Sequence, residues 1–375
     1  MELNSIAEAI AAIASGECIV VVDDTDRENE GDLIMAASKA TPERIGFMVR
    51  HTSGLLCVPM LPERAARLNL APMVANNLDP MRTAFTVSVD YKLGMTTGIS
   101  AEERAATARA LANDNCDADD FLRPGHMFPL IARPGGVLTR SGHTEAATDL
   151  ASLAGLGGVG VLAEIVNDDG SLKRLPQLIE FAKEHKLKII TIEDLIQYRI
   201  RTEHFVECVA SRRVTLGGAP AMLHVYSTPF DSMQHVVAVF GEIGDGVGIP
   251  CRIHREQPIL DLLARASHTR SWLDVALDQF RAGGRGVLIM LRNPLAEDPA
   301  REEESKADGD EEAGDGERHG SARRRTQRWR EVGLGAQILR HLGVRSIELL
   351  ATREQHYVGL GGFGIEIART VRIDE

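Results

Sequence analysis

Aromatic residues are scarce in this chain, at 4% of 375 positions. Its cores must therefore be built from aliphatic side chains, which the 44% hydrophobic content can supply. Cysteines are few and scattered. Cys18, Cys57, Cys116, Cys208 and Cys251 never form a CxxC pair, which argues against a disulfide framework or a thiolate zinc site and fits a reducing compartment. Positive charge is in deficit too. A net charge of −12 excludes a general nucleic-acid binder, which needs a basic footprint. It leaves anionic metabolites open, because local arginines can bind them in an acidic protein. No apolar run approaches the length of a membrane span. The N-terminal stretch MELNSIAEAIAAIASGE lacks the basic start and long apolar core of a secretory signal. These absences predict a cytoplasmic protein with neither nucleic acid nor membrane as partner.

What is present begins with acid. Six carboxylates fall within Asp23 to Asp32, directly after the apolar run Cys18 to Val22. Like charges this close repel unless a cation sits among them, and Arg27 alone cannot balance six. The run is either a solvated acidic turn or a divalent-metal site on a loop held by a strand. Two further stretches carry chemistry: Arg123 to Pro129, with His126 at its centre, and Gly135 to Glu145. In the second, His143 stands at a helix entrance, where free backbone N–H groups suit a phosphate. Arg140, Ser141, Gly142 and Thr144 add donors or close backbone approach. His143 is either structural or, as neutral imidazole, a metal ligand. Glu164 is the one charge inside Val161 to Val166; a carboxylate there must be paired, bind metal or exchange a proton. Gly155 to Gly160 fits GxGxxG, but a helix precedes it and a strand follows. That is the reverse of the dinucleotide-binding order.

Strands and helices intermix along the chain. Helices are predicted over residues 4–16, from Thr41-Pro42, from the Ser100/Glu103 capping box to about Leu111, and over 144–153, 175–185 and 192–200. Strands are predicted over 18–22, 55–58, 85–89, 159–166 and 188–191, with Ile34 to Ala37 an apolar continuation. Asn167 to Gly170 reads as a hairpin turn, so the sheet need not be all parallel. This gives an α/β (α+β) class with a mixed-sheet domain over 1–202 and a second α+β domain over 203–375. In the second, strands are predicted over 205–215, 221–227, 235–241, 286–291 and 346–350. Helices are predicted over 259–264, 271–280 and 334–342, and a glycine turn at 359–362. Residues 297–317 hold eleven Asp and Glu against two Lys and Arg, and 318–330 hold six arginines. Neither part can bury enough apolar surface to order itself, so about 296–330 is predicted to be a disordered insertion.

Several motifs together resemble one family. Asp26 to Asp32, Ser53 to Cys57, Thr96 to Ser100, Gly125 to Leu130 and Arg140 to Ala146 are similar, in order, to the signatures of 3,4-dihydroxy-2-butanone 4-phosphate synthase. The resemblance implies conversion of D-ribulose 5-phosphate to L-3,4-dihydroxybutan-2-one 4-phosphate and formate by a homodimer using Mg²⁺ or Mn²⁺, two per active site. It implies Glu28 and His143 as metal ligands. Arg27, Glu28, Asp32, Arg140, Ser141, Gly142, His143, Thr144 and Glu164 would bind substrate, and His126, Glu164 and Asp32 would take part in catalysis. Residues 203–375 resemble GTP cyclohydrolase II at Val287 to Arg292, Gly335 to Leu339 and Gly359 to Gly364. There the family's zinc cysteines are missing: His254-Arg255-Glu256-Gln257 is followed by no cysteine. Asn293-Pro294 and the charged insertion stand where a Glu-Gly-Arg-Gly-Ile-Gly stretch is expected. The second domain is therefore predicted to keep the fold without the hydrolase.

Overall fold

Four β-branched residues, Ile19–Val22, make a strand (β1) that is buried on both faces, and the N-terminal sheet is assembled around it. The computed structural model describes residues 3–24, 27–229, 231–256, 271–292, 331–351 and 364–373. The chain divides into two compact units, one through Arg199 and one from Ile200.

Helix α1 (Ile6–Ala14) opens on a Ser5/Glu8 capping box, narrower than the predicted 4–16. After β1 and the acidic loop comes β2 (Gly31–Ala36), then α2 (Pro42–His51), β3 (Cys57–Met60), α3 (Pro62–Arg67), β4 (Val89–Tyr91) and α4 (Ala101–Leu111). There follow β5 (Phe121–Ile131), α5 (His143–Leu153), β6 (Gly160–Glu164), α6 (Leu175–Glu184), β7 (Lys188–Thr191) and α7 (Ile192–Thr202). The strand order is β4-β5-β3-β6-β2-β1-β7. β1 runs antiparallel to β2 and parallel to β7, so the sheet is mixed. Alternation sorts its side chains. Val20, Val22, Leu33, Met35, Val58, Val161 and Ala163 join Ile45 and Met48 of α2, Ala105 of α4 and Phe181 of α6 in one core. The opposite face carries Val21, Asp32, Ile34, Leu162 and Glu164, and α5 packs there against β2, β3 and β6. Gly160 permits this approach: a Cβ would lie 2.8 Å from that of Ala147.

Two strand predictions need correction. Within residues 85–89, Phe85 and Thr86 form only isolated bridges, to Leu130 and Pro72, and Val89 opens the strand proper, β4. Strand β5 was not predicted, because Pro124, Gly125 and Pro129 argue against a strand interior. The fold tolerates them because β5 pairs with β4 on one side and, through Cys57↔Phe128 to Met60↔Ile131, with β3 on the other. The turn at 167–170 is a hairpin, with Asn167 N–H donating to Ser171 at 2.7 Å.

The second unit holds β8 (Glu207–Leu216), β9 (Ala219–Thr228), β10 (Asp231–Phe240), β11 (Ile249–Arg255), α8 (Trp272–Gly283), β12 (Gly286–Leu291), a helix α9 over 331–341, β13 (Ser346–Ala351) and β14 (Glu366–Arg372). Its sheet runs β14-β13-β11-β12-β10-β9-β8. β8 to β10 form an antiparallel meander, while β12, β11, β13 and β14 run parallel to one another. β11 was missed, because Pro250, Arg252 and His254 mask its alternation. Ala276, Leu277 and Phe280 of α8 fill the core. The predicted helix at 259–264, the glycine turn at 359–362 and the charged insertion lie outside the described residues. Among the described residues, no helix is long and apolar enough to cross a membrane.

Candidate active site

The acidic loop is organised by its first residue. Asp23, buried at the end of β1, accepts hydrogen bonds from Glu28 N–H at 3.1 Å and Glu30 N–H at 2.8 Å, and from the Arg27 guanidinium at 2.9 Å. Arg27 also contacts the Glu28 carboxylate. Behind the loop, the Arg174 guanidinium donates to the carbonyls of Glu28, at 2.8 Å, and Asn29. Thr25 and Asp26 lie outside the described residues.

The loop faces the N-terminus of α5. Gly142 is the N-cap and offers no side chain to the helix N–H groups, which leaves them for an anion. Two guanidiniums converge there. A Cβ on Gly142 would overlap that of Arg140 and lie 3.1 Å from Arg27 Nη2. Arg140 is aimed by the buried Glu145, at 2.7 Å, and by the Met81 carbonyl, at 3.2 Å. Glu145 also accepts from Arg133 N–H at 3.0 Å.

His143, first residue of α5, is buried, and burial pulls its imidazole below the ordinary value. A neutral ring donates one proton; Nε2 donates it to the Val21 carbonyl at 3.1 Å. That leaves the Nδ1 lone pair facing the site, 3.7 Å from Asp32 Oδ1. A ring fixed through a backbone carbonyl in this way is the usual arrangement of a metal-ligating histidine. Ligand atoms of Asp23, Glu28 and His143 all lie within 4.8 Å of one another.

Asp32 is 2% exposed, and its Oδ1 has no hydrogen-bond partner. It stands directly across the β2–β6 ladder from Glu164. Burial first, then Glu164, Glu30, Glu28 and Asp23, push its carboxyl well above the usual range. Glu30 is pushed up to about 7, by burial and then by Glu28 and Glu164. An orphaned buried carboxylate oxygen and a crowd of acids beside an oriented imidazole fit a hard divalent cation with oxygen and nitrogen ligands. Glu164 is half-buried at the end of β6, not enclosed by it.

Arg27, Glu28, Asp32, Arg140, Ser141, Gly142, His143, Thr144 and Glu164 therefore gather around the loop and the start of α5. His126 does not. It lies on β5, and β3 and β6 intervene before β2; three strand spacings are roughly 14 Å. Its ring is 42% exposed and hydrogen-bonded to Asp90. Sequence reasoning gave no individual role to Asp23, Glu145 or Asp90. Asp90 carried the same signal as Glu164, one acid inside a strand-like apolar run, and Asp23 stood first in the acidic run at the strand end.

Comparison with known proteins shows the family. Residues 7–198 match the family 3,4-dihydroxy-2-butanone 4-phosphate synthase, and residues 207–372 match GTP cyclohydrolase II. The monofunctional riboflavin biosynthesis protein RIBA 2 of Arabidopsis thaliana, a chloroplastic protein, is 46% identical over 371 residues, 98% of this chain and 76% of that protein. The bifunctional RIBA 1 of the same plant is 45% identical over 372 residues, covering 98% of this chain and 68% of that protein. Among solved structures, RibBX of A. baumannii, a two domain 3,4-dihydroxy-2-butanone 4-phosphate synthase, superposes with a TM-score of 0.78 at 35% identity, over 99% of this chain and 100% of that one. A 3,4-dihydroxy-2-butanone 4-phosphate synthase in complex with two magnesium ions matches 53% of this chain and 98% of its own, at 46% identity and a TM-score of 0.52. The chain belongs to the 3,4-dihydroxy-2-butanone 4-phosphate synthase family of riboflavin biosynthesis, and carries that domain fused to one of the GTP cyclohydrolase II family.

Proposed function

We propose that residues 1–202 convert D-ribulose 5-phosphate to L-3,4-dihydroxybutan-2-one 4-phosphate and formate, while residues 203–375 keep a cyclohydrolase II fold without opening GTP. The observation that carries the first part is the convergence of Asp23, Glu28 and His143 beside a helix N-terminus flanked by Arg27 and Arg140. The phosphate sits on the α5 N-terminus, with the N–H groups of the His143–Thr144 turn and the two guanidiniums as donors. Ser141 and Gly142 shape the approach. Glu28 and His143 would hold Mg²⁺ or Mn²⁺, two ions per site, with Asp23 orienting the loop. Bound there, the cations would polarise the C2 carbonyl and acidify the C3 proton.

The chain's own acids and imidazole move the protons. Asp32, whose carboxyl burial pushes well above the usual carboxylate range, Glu164 across the ladder and His126 are the groups among which the C3 proton is taken and protons are later returned. Loss of the C1 hydroxyl as water and a skeletal shift then leave C4 as an aldehyde, and addition of one water to that carbon lets it depart as formate. A homodimer with sites near its interface belongs to this reading. His126 is about three strands from its own protomer's cluster, so a second copy offers the route by which an exposed His126 reaches substrate. Cytoplasmic placement rests on the five unpaired, scattered cysteines; the plant relatives are chloroplastic. The acidic balance supports no nucleic-acid partner.

The silent second domain is supported by its cysteines. Cys208 is on β8 and Cys251 on β11, and β12, β10 and β9 lie between them. Four strand spacings are roughly 19 Å, too far to share a zinc. Burial pushes the Cys251 thiol up to about 12, the wrong direction for a thiolate ligand.

Glu28→Gln tests the metal site. The variant is expected to fold as the parent does, to bind Mg²⁺ and Mn²⁺ more weakly, and to release no formate from ribulose 5-phosphate. Full formate release by the variant would refute the metal role.

A further inference from the structure

The geometry points to Asp90 as the positioning residue that fixes the tautomer of His126, with Gly98 as the space that lets it do so. This rests on the catalytic role proposed above for His126. Asp90 is the middle residue of β4, and the β4–β5 register shifts between it and Val89. At that irregularity the His126 backbone N–H donates to the carboxylate of Asp90, at 2.9 Å from Oδ1. The other oxygen, Oδ2, lies 2.7 Å from His126 Nδ1. One side chain thus holds both the main chain and the ring of the same histidine. A carboxylate can only accept, so Nδ1 carries the proton. With that proton on Nδ1, the Nε2 lone pair is the one left to take a substrate proton.

The surroundings are built to keep this pair. Asp90 is buried, with its side chain 5% exposed against 42% for His126. Arg104 of α4, itself buried, lends positive charge to Asp90, and its Nε has no hydrogen-bond partner. The segment Thr96 to Gly98 is pinned to α4 through Glu103, which accepts from Thr97 N–H at 3.2 Å and Gly98 N–H at 3.1 Å. Gly98 has φ +84, and a Cβ there would overlap the Asp90 carboxylate and lie 2.7 Å from His126 Nδ1. Only a glycine lets the pinned loop cross the pair.

A purely structural Asp90 would close the strand irregularity and nothing more. The Asp90→Asn variant separates the two roles. The His126 N–H still needs an oxygen acceptor, which turns the amide NH₂ toward Nδ1. That amide donates, so the ring proton moves to Nε2 and the lone pair that should take the proton is lost. D90N is therefore expected to lose about 10³-fold or more in kcat with KM changed less than about threefold. D90A, whose ring can choose its tautomer, is expected to lose less, about 10²-fold. Nitrogen-15 NMR of histidine-labelled full-length protein should show Nδ1–H at His126 in the parent and Nε2–H in D90N. This spectral readout holds whatever happens to the rate. Equal losses in D90N and D90A, or an unchanged tautomer in D90N, would overturn the inference. H126A serves as the control. If H126A is inactive while D90N keeps its rate, the positioning role alone fails; if H126A keeps its rate, the catalytic role fails and the inference with it.

Discussion

Asp32 and Glu30 hold protons in the folded protein that an unfolded chain would release. Glu30 rises from its ordinary 4.5 to about 7, and burial, then Glu164, pushes Asp32 well above its own ordinary value. Between the ordinary carboxylate range and about 7, the folded state thus binds more protons than the unfolded state. Stability must then fall as pH climbs through that window, since ionising these groups in place costs more than ionising them in water. In metal-free protein, Tm is expected to drop between about pH 5 and pH 8. A divalent cation competes for the same oxygens and relieves the same repulsion, so added Mg²⁺ should raise Tm more at the higher pH. Calorimetry with and without Mg²⁺ at the two pH values checks this. A metal-free Tm that rises across the window, or an Mg²⁺ effect larger at acid pH, would contradict the reading of the cluster as a cation site.

Strand β5 positions His126, and its pairing with β4 depends on Gly125. A Cβ on Gly125 would overlap the backbone of Val89 and Asp90, atoms that cannot rotate away. Gly125→Ala is expected to cost about 2–3 kcal/mol and to lower turnover by parting Asp90 from His126. Gly46→Ala is the contrast. Gly46 lies inside α2, and its added Cβ would meet the Ala101 Cβ at an ordinary 3.8 Å. There the gain in helix propensity should leave stability unchanged or raised by about 0.5–1 kcal/mol. Urea unfolding of both variants decides; an Ala at position 125 as stable as the parent would show that the strands can part without loss. The same residues explain why β5 was illegible in sequence. Two prolines and a glycine are turn chemistry by every local rule, and only partner strands on both sides hold them extended.

At the scale of the whole chain, one fused partner is expected to work and the other to be silent. Purified protein should carry no stoichiometric zinc and release no formate from GTP, while releasing formate from ribulose 5-phosphate with Mg²⁺. Elemental analysis and the two formate assays test this together; one tightly bound zinc per chain with GTP turnover would restore the bifunctional assignment.

Much of the site was written locally. The acidic run at the end of β1, the Ser5/Glu8 and Ser100/Glu103 capping boxes, the hairpin at 167–170 and His143 at the head of α5 depend on contacts within a few residues. Composition and spacing encode such contacts directly. The motifs that mark the family are likewise short segments. What remained hidden involves partners distant in the chain. Asp32 meets Glu164 only because β2 and β6 are neighbours in a particular register, and Asp90 meets His126 only across the β4–β5 irregularity. The separation of His126 from the Glu28–His143 cluster likewise follows from strand order. A period of two tells which face a residue takes, but it carries no information about which strand lies alongside. Strand neighbours are chosen by how the whole set of apolar faces can be buried at once, and that is settled only when the chain folds.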